Sequence, residues 1–81
     1  MKPILHWDEY NLGKIAGHGV TVAEVDEVFA DPTSEEATSR SSGRPIVRGY
    51  TAAGRYLVVV FEELDDNPRR IYPMTAYEPG E

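Results

Sequence analysis

Residues 46–63 read Ile46-Val47-Arg48-Gly49-Tyr50-Thr51-Ala52-Ala53-Gly54-Arg55-Tyr56-Leu57-Val58-Val59-Val60-Phe61-Glu62-Glu63, and this stretch decides the fold. Two runs rich in β-branched and aromatic residues, 46–51 and 55–63, flank Ala52-Ala53-Gly54. Glycine stands where a type I turn followed by a bulge needs a left-handed residue, so the stretch reads as a β-hairpin. If Thr51 opposes Arg55, antiparallel partners keep a constant index sum; Tyr50 then faces Tyr56, Arg48 faces Val58 and Ile46 faces Val60. Side chains alternate between faces, which puts Val47, Gly49, Leu57, Val59 and Phe61 on one side and Arg48, Tyr50, Tyr56 and Val58 on the other. The first, more apolar face is expected to lie against helices and the second to face solvent.

Towards the N-terminus, residues 4–6 after Pro3 read as a short strand. Asp8 is placed as the N-cap of a first helix, with Trp7 and Leu12 spaced as a hydrophobic staple, Leu12, Ile15 and Ala16 on one face, and Gly17 as its C-terminal cap. His18-Gly19 is a turn. Thr21 and Glu24 form a capping box for a second helix, Val20 and Val25 its staple, and Val22, Val25, Val28 and Phe29 its apolar face, ended by Asp31-Pro32. Residues 33–45, without periodicity, read as a long surface loop. Past the hairpin, residues 64–68 form a loop and residues 69–77 a third strand, whose Pro73 demands an edge or a bulge. The tail 78–81 offers nothing to bury. The expected fold is a single α+β domain over residues 1–81, with two N-terminal helices on one face of an antiparallel three- to four-stranded sheet.

A chain of 81 residues has room for one compact domain. With no cysteine it cannot build a disulfide framework, a thiolate zinc site or a cysteine nucleophile. His6 and His18, without clustered carboxylates, make a poor metal site, so no metal or cofactor is expected. The longest apolar run, 57–61, is far too short to span a membrane, and residues 1–3 lack a signal-peptide apolar core; a cytoplasmic protein is expected. The net charge of −6 argues against bulk electrostatic binding of nucleic acid. Its distribution points the other way. Residues 37–61 hold no acid but Arg40, Arg44, Arg48 and Arg55, and with Arg69 and Arg70 every arginine lies between positions 40 and 70. Arginine suits bidentate phosphate contact, so a locally cationic sector on an acidic body is expected.

Trp7-Asp8, His18-Gly19-Val20-Thr21, the helix from Glu24 to Phe29, Gly54-Arg55-Tyr56-Leu57 with the valines that follow, and Arg70-Ile71 leading to Thr75-Ala76 occur in this order along nearly the whole chain. In that order they resemble the BrnT-like toxin family. The resemblance implies a RelE-like fold, a toxin role in a type II toxin-antitoxin pair, metal-independent RNA cleavage that inhibits translation, and a ribbon-helix-helix antitoxin as partner. It also implies that Arg55 and Arg70 are catalytic, with His18 as base or orienter. Two positions depart from the family pattern: Gly17 stands where lysine is usual, and Tyr77 where arginine is.

Metal-free RNA cleavage needs a base for the 2′-OH proton, a cation for the phosphorane-like charge and an acid for the leaving 5′-oxygen. His18, Arg55 and Arg70 are therefore the catalytic candidates, and Arg48, Tyr50, Tyr56 and Tyr72 the candidates for RNA binding, the tyrosines by stacking on unpaired bases. The alternative is a catalytically degenerate BrnT-like module that binds protein without nuclease activity. A weaker third reading is a regulatory subunit that binds a basic partner through its acidic helices. A homodimer and a toxin-antitoxin hetero-oligomer are both compatible with the sequence.

Overall fold

The computed structural model describes residues 2–80; Met1 and Glu81, which belong to the leader and tail readings above, lie outside the described residues. The chain order is β1 (Ile4–Leu5), α1 (Glu9–Gly17), α2 (Val22–Ala30), β2 (Glu35–Thr38), β3 (Pro45–Tyr50), β4 (Tyr56–Asp66) and β5 (Arg69–Tyr77). The strands form one five-stranded sheet in the order β1-β5-β4-β3-β2. All neighbours are antiparallel except β1 and β5, which are parallel, so the sheet is mixed and larger than the expected three or four antiparallel strands. No helix among the described residues is long and apolar enough to cross a membrane.

The central hairpin has the register expected from its turn: Tyr50 opposes Tyr56, Arg48 opposes Val58 and Ile46 opposes Val60. Gly54 holds a φ of 86°, and the Gly54 N–H donates to the Thr51 carbonyl at 2.9 Å, which closes the turn. Val47, Leu57, Val59 and Phe61 are buried on one face, joined by Ile71 and Ala76 of β5. Ile15 and Val20 from the first helical unit and Val25 and Val28 from α2 complete this core. Each fully buried aliphatic or phenyl side chain contributes roughly 1.5–3 kcal/mol through removal from water. Val58 is a correction: it faces away from the helices yet is buried, between Arg48 and Tyr77 on the flanking strands.

Both helices start as the sequence indicates. Asp8 caps α1, with Asn11 returning a side-chain bond to the Asp8 N–H, and Thr21 and Glu24 form the reciprocal box of α2. The end of α1 differs. Gly17 is still helical, and Gly19, at φ 70°, is the left-handed residue. The Val20 N–H reaches the Ile15 carbonyl at 2.9 Å and the Gly19 N–H reaches Ala16 at 3.0 Å, a Schellman ending sealed by the buried Ile15 and Val20 side chains. On α1, Leu12 and Ala16 are exposed and the inward positions are Asn11 and Ile15. Val22 of α2 is likewise exposed, since it sits in the first turn beyond the core.

The stretch read as a loop at 33–45 contains β2, which pairs along β3 from Glu35 opposite Arg48 to Thr38 opposite Pro45. Of the loop expected at 64–68 most is strand, because β4 runs on to Asp66 and leaves a connection of only Asn67 and Pro68. Pro73 lies beyond the two residues that β1 pairs, where β5 is an edge, and the β4–β5 ladder slips beside it between Val60 and Phe61, so the edge and the bulge expected of a proline are both present. Beyond the short β1, the edge of β5 is covered by α1. There the buried Asn11 amide donates to the Pro73 carbonyl at 2.8 Å and to the His6 carbonyl at 2.9 Å.

Candidate functional site

The side of the sheet turned away from the core carries no helix. By the register, Tyr50 and Tyr56, Arg48 with Val58 and Tyr77, Ile46 with Val60 and Thr75, and Glu62 with Tyr72 follow one another along it, ending at Arg70 opposite Asp65. Arg48, Tyr50, Tyr56, Tyr72 and Arg70 thus share one face. The Tyr50 and Tyr56 rings lie 4.9 Å apart at 52° and are both exposed, an aromatic platform at the turn end. Arg48 beside them makes no ion pair among the described residues, although Glu35 is its cross-strand neighbour on β2.

The three catalytic candidates do not converge. The His18 ring, carried on the Schellman turn of α1, is 6.0 Å from the Tyr77 ring, so it reaches the turn end of the helix-free face. Arg55 is close to the same turn but is spent on structure. Its Nε donates to Glu78, and its Nη1 donates to the Gly19 carbonyl at 2.8 Å and to both Glu24 oxygens at 3.1 and 3.2 Å. Hydrogen bonds to Glu78 and then Glu24 push the guanidinium pKa up still further. Burial pushes the Glu24 carboxyl up, but hydrogen bonds from the Thr21 backbone and Arg55 outweigh it and hold the group below its ordinary range. Arg55 is therefore a clasp joining β4, the α1–α2 turn and Glu78, which the sequence had read as part of an idle tail.

Arg70 sits at the opposite end of the ladder. It opposes Asp65, whereas Arg55 precedes Tyr56 at the start of β4, and at about 3.3 Å per residue the two are roughly 30 Å apart. No single phosphodiester can touch both. Tyr72 is also engaged: its hydroxyl donates to both Asp8 oxygens at 3.0 Å. Burial, and then Asp8, raise its pKa and keep the phenol protonated. Asp8 itself is held below its ordinary 3.8, chiefly by the Asn11 backbone N–H, against a smaller opposing effect of burial.

Arg69, which the sequence did not single out, is as heavily paired as Arg55. It donates to both Glu36 oxygens at 2.8 Å and from Nε to Glu63 at 2.9 Å, and its guanidinium lies 5.7 Å from the Phe61 ring centroid. It locks β2, β4 and β5 on the core side. Sequence reading also missed Lys14 and Tyr10, which project from α1 towards the helix-free face beside Arg44 and Tyr77 and line a common cavity. Only the arginine-rich composition of 40–48 hinted at this region. No protein-family model, curated protein or solved structure matches the chain.

Proposed function

We propose that the chain is a BrnT-like toxin of a type II toxin-antitoxin pair, with a RelE-like arrangement of its helices and sheet, that cleaves RNA without a metal and so inhibits translation. The observation supporting this reading is the helix-free face, on which an exposed tyrosine pair, Arg48 and the His18–Tyr77 contact lie together at one end. Unpaired bases stack on Tyr50 and Tyr56 while a phosphate meets Arg48. Arg48 and Tyr77 flank Val58 on successive strands, about 10 Å apart, which is within reach of one nucleotide step. His18 then serves in proton transfer, and Arg48 takes the cation role that Arg55 cannot fill while it is clasped. A ribbon-helix-helix antitoxin would act by covering this face.

A second reading, a degenerate module that binds protein without cleaving RNA, is favoured by the same neutralisation of Arg55 by Glu24 and Glu78. Induced expression separates the two. Wild type should arrest growth and fragment total RNA, whereas His18→Ala and Arg48→Ala variants, shown to be folded by circular dichroism, should do neither. Folded wild-type protein that leaves growth and RNA intact would establish the binding module in its place.

A further inference from the structure

Three surface cavities differ in the charge of their walls. One of about 520 Å³ is lined by Glu63, Asp65 and Asp66 with the already paired Arg69, and another of about 310 Å³ by Glu27 and Asp31. The third, of about 270 Å³, is lined by two cations and no acid. It lies where the β2–β3 turn meets the side of α1 over the helix-free face, between Lys14, Arg44, Ser41, Ser42, Tyr10 and Tyr77.

The turn serines are linked locally, Ser39 with Ser41 at 3.2 Å and Ser42 accepting from the Arg44 N–H at 3.3 Å, but the two cations lack strong acceptors among the described residues. Arg44 places Nη1 3.1 Å from the Met74 sulfur, a weak acceptor, and 3.8 Å from Glu62, beyond hydrogen-bond range. Lys14 makes no ion pair among the described residues; its Nζ lies 5.5 Å from the centroid of the Tyr10 ring. Thr75, also in the lining, has a buried hydroxyl with no hydrogen-bond partner among the described residues. The turn itself is well built: Ser39 and Arg44 pair through the Ser39 N–H at 2.8 Å, and Gly43, at φ 71°, donates to the Ser39 carbonyl. Strong donors without strong acceptors, on a closed turn, describe an anion site.

We propose that this cavity binds the phosphate group of a nucleotide, with Lys14 and Arg44 as its cations, the turn serines as donors, and the Tyr10 or Tyr77 ring against the base. The volume is just below the range of about 300–1,000 Å³ usual for small-molecule sites, which suits one nucleotide and not a larger ligand. Glu62, 3.8 Å from Arg44 Nη1, opposes an anion, so binding depends on both cations and weakens with added salt. The proposal rests on the RNA reading only for whether the phosphate belongs to RNA or to a free nucleotide.

Amide NMR titrations of the whole chain with AMP, adenosine, inorganic phosphate and a hexauridylate RNA test it. AMP and RNA should shift the amides of residues 39–44 and Lys14, adenosine should not, and a folded Lys14→Gln, Arg44→Gln double variant should bind both at least about tenfold more weakly. AMP binding without RNA binding keeps the cavity and sinks the RNA reading. RNA that shifts Arg48, Tyr50 and Tyr56 but leaves 39–44 untouched keeps the RNA reading and overturns the cavity. Adenosine binding as well as AMP, or inorganic phosphate binding better than AMP, also overturns the proposal. The wild-type shift map decides even if the double variant fails to fold.

Discussion

Asn11 offers the sharpest test of how the helices are fixed to the sheet. Its side chain is fully buried, donates to the Pro73 and His6 carbonyls at 2.8 and 2.9 Å, and accepts from the Asp8 N–H at 2.8 Å. Asn11→Ala removes all three bonds and strands the buried Pro73 carbonyl. An unsatisfied buried polar group costs about 1–3 kcal/mol and the other, part-buried bonds about 1 kcal/mol each, so the expected loss is about 3–5 kcal/mol. A domain of this length has only about 4–12 kcal/mol of stability, so the variant should be near or past its folding threshold. With a urea slope of about 1 kcal/mol/M, the midpoint should fall by roughly 3 M or the native baseline should vanish. Asn11→Asp keeps the volume and the acceptor but cannot donate when ionised, and should be comparably damaged at neutral pH. The neighbouring Leu12, 40% exposed, provides the contrast: Leu12→Ala should change stability by less than about 1 kcal/mol, where an inward leucine would lose about 2–5. An Asn11→Ala midpoint within about 0.5 M of wild type would refute the role given to Asn11.

Gly49→Ala should be destabilising although it adds one methyl, because the new Cβ would lie 1.9 Å from the Ser34 hydroxyl and 3.3 Å from the Ser34 Cα. A cost of about 2 kcal/mol and a melting temperature lower by roughly 10 °C are expected, with partial rescue by Ser34→Gly; an unchanged melting temperature would contradict the packing. The carboxyls of Asp8, Asp31, Glu36 and Glu24 all titrate below their ordinary values of 3.8 and 4.5. The causes are the Asn11 backbone N–H for Asp8, the Thr33 backbone and hydroxyl for Asp31, and Arg69 for Glu36; for Glu24, burial is outweighed by Thr21 and Arg55. A depressed folded-state pKa gives stability that is complete above the unfolded-state value and is lost as pH falls through the folded one. Urea midpoints should therefore be level from pH 7 to about 5 and drop below about 4.5, and a rise on acidification would overturn the assignment.

What the sequence disclosed is what local geometry dictates. Asp8, Thr21 and Glu24 act within three residues of their partners, and Gly54 fixes the hairpin register without help from elsewhere. β2 was hidden because Glu35-Glu36-Ala37-Thr38 has no buried face: it is a strand through its pairing with β3, not through its own alternation. The far end of β4 was hidden for the same reason, since Leu64 to Asp66 extends past the core and is held by pairing with β5. The place of Arg48, Tyr50 and Tyr56 on one face was legible because side-chain parity follows from register. The fate of Arg55 was not, because Glu24, Gly19 and Glu78 reach it from three separate segments.

Pro73 ties the two least legible features together. It turns its carbonyl away from β4 and stands beside the irregularity of the β4–β5 ladder: Val60 faces Thr75 while Phe61 faces Pro73, and Met74 is left over. One consequence falls on the edge of β5, where the Pro73 carbonyl meets the buried Asn11 amide and brings α1 against the strand. The other falls on the helix-free face, where Met74 and Thr75 come to lie side by side beneath Arg44 and form the floor of the cationic cavity. With α1 drawn in by Asn11, Lys14 and Tyr10, one turn or less along the same helix, reach over to become that cavity's outer wall. The Pro73 carbonyl that anchors the helix thus lies next to the strand residues that line the cavity, and the helix it holds supplies the rest of the wall. Loss of Asn11 should be felt at the cavity before it is felt in the hairpin platform of Tyr50 and Tyr56, whose rings meet across the β3–β4 pair itself.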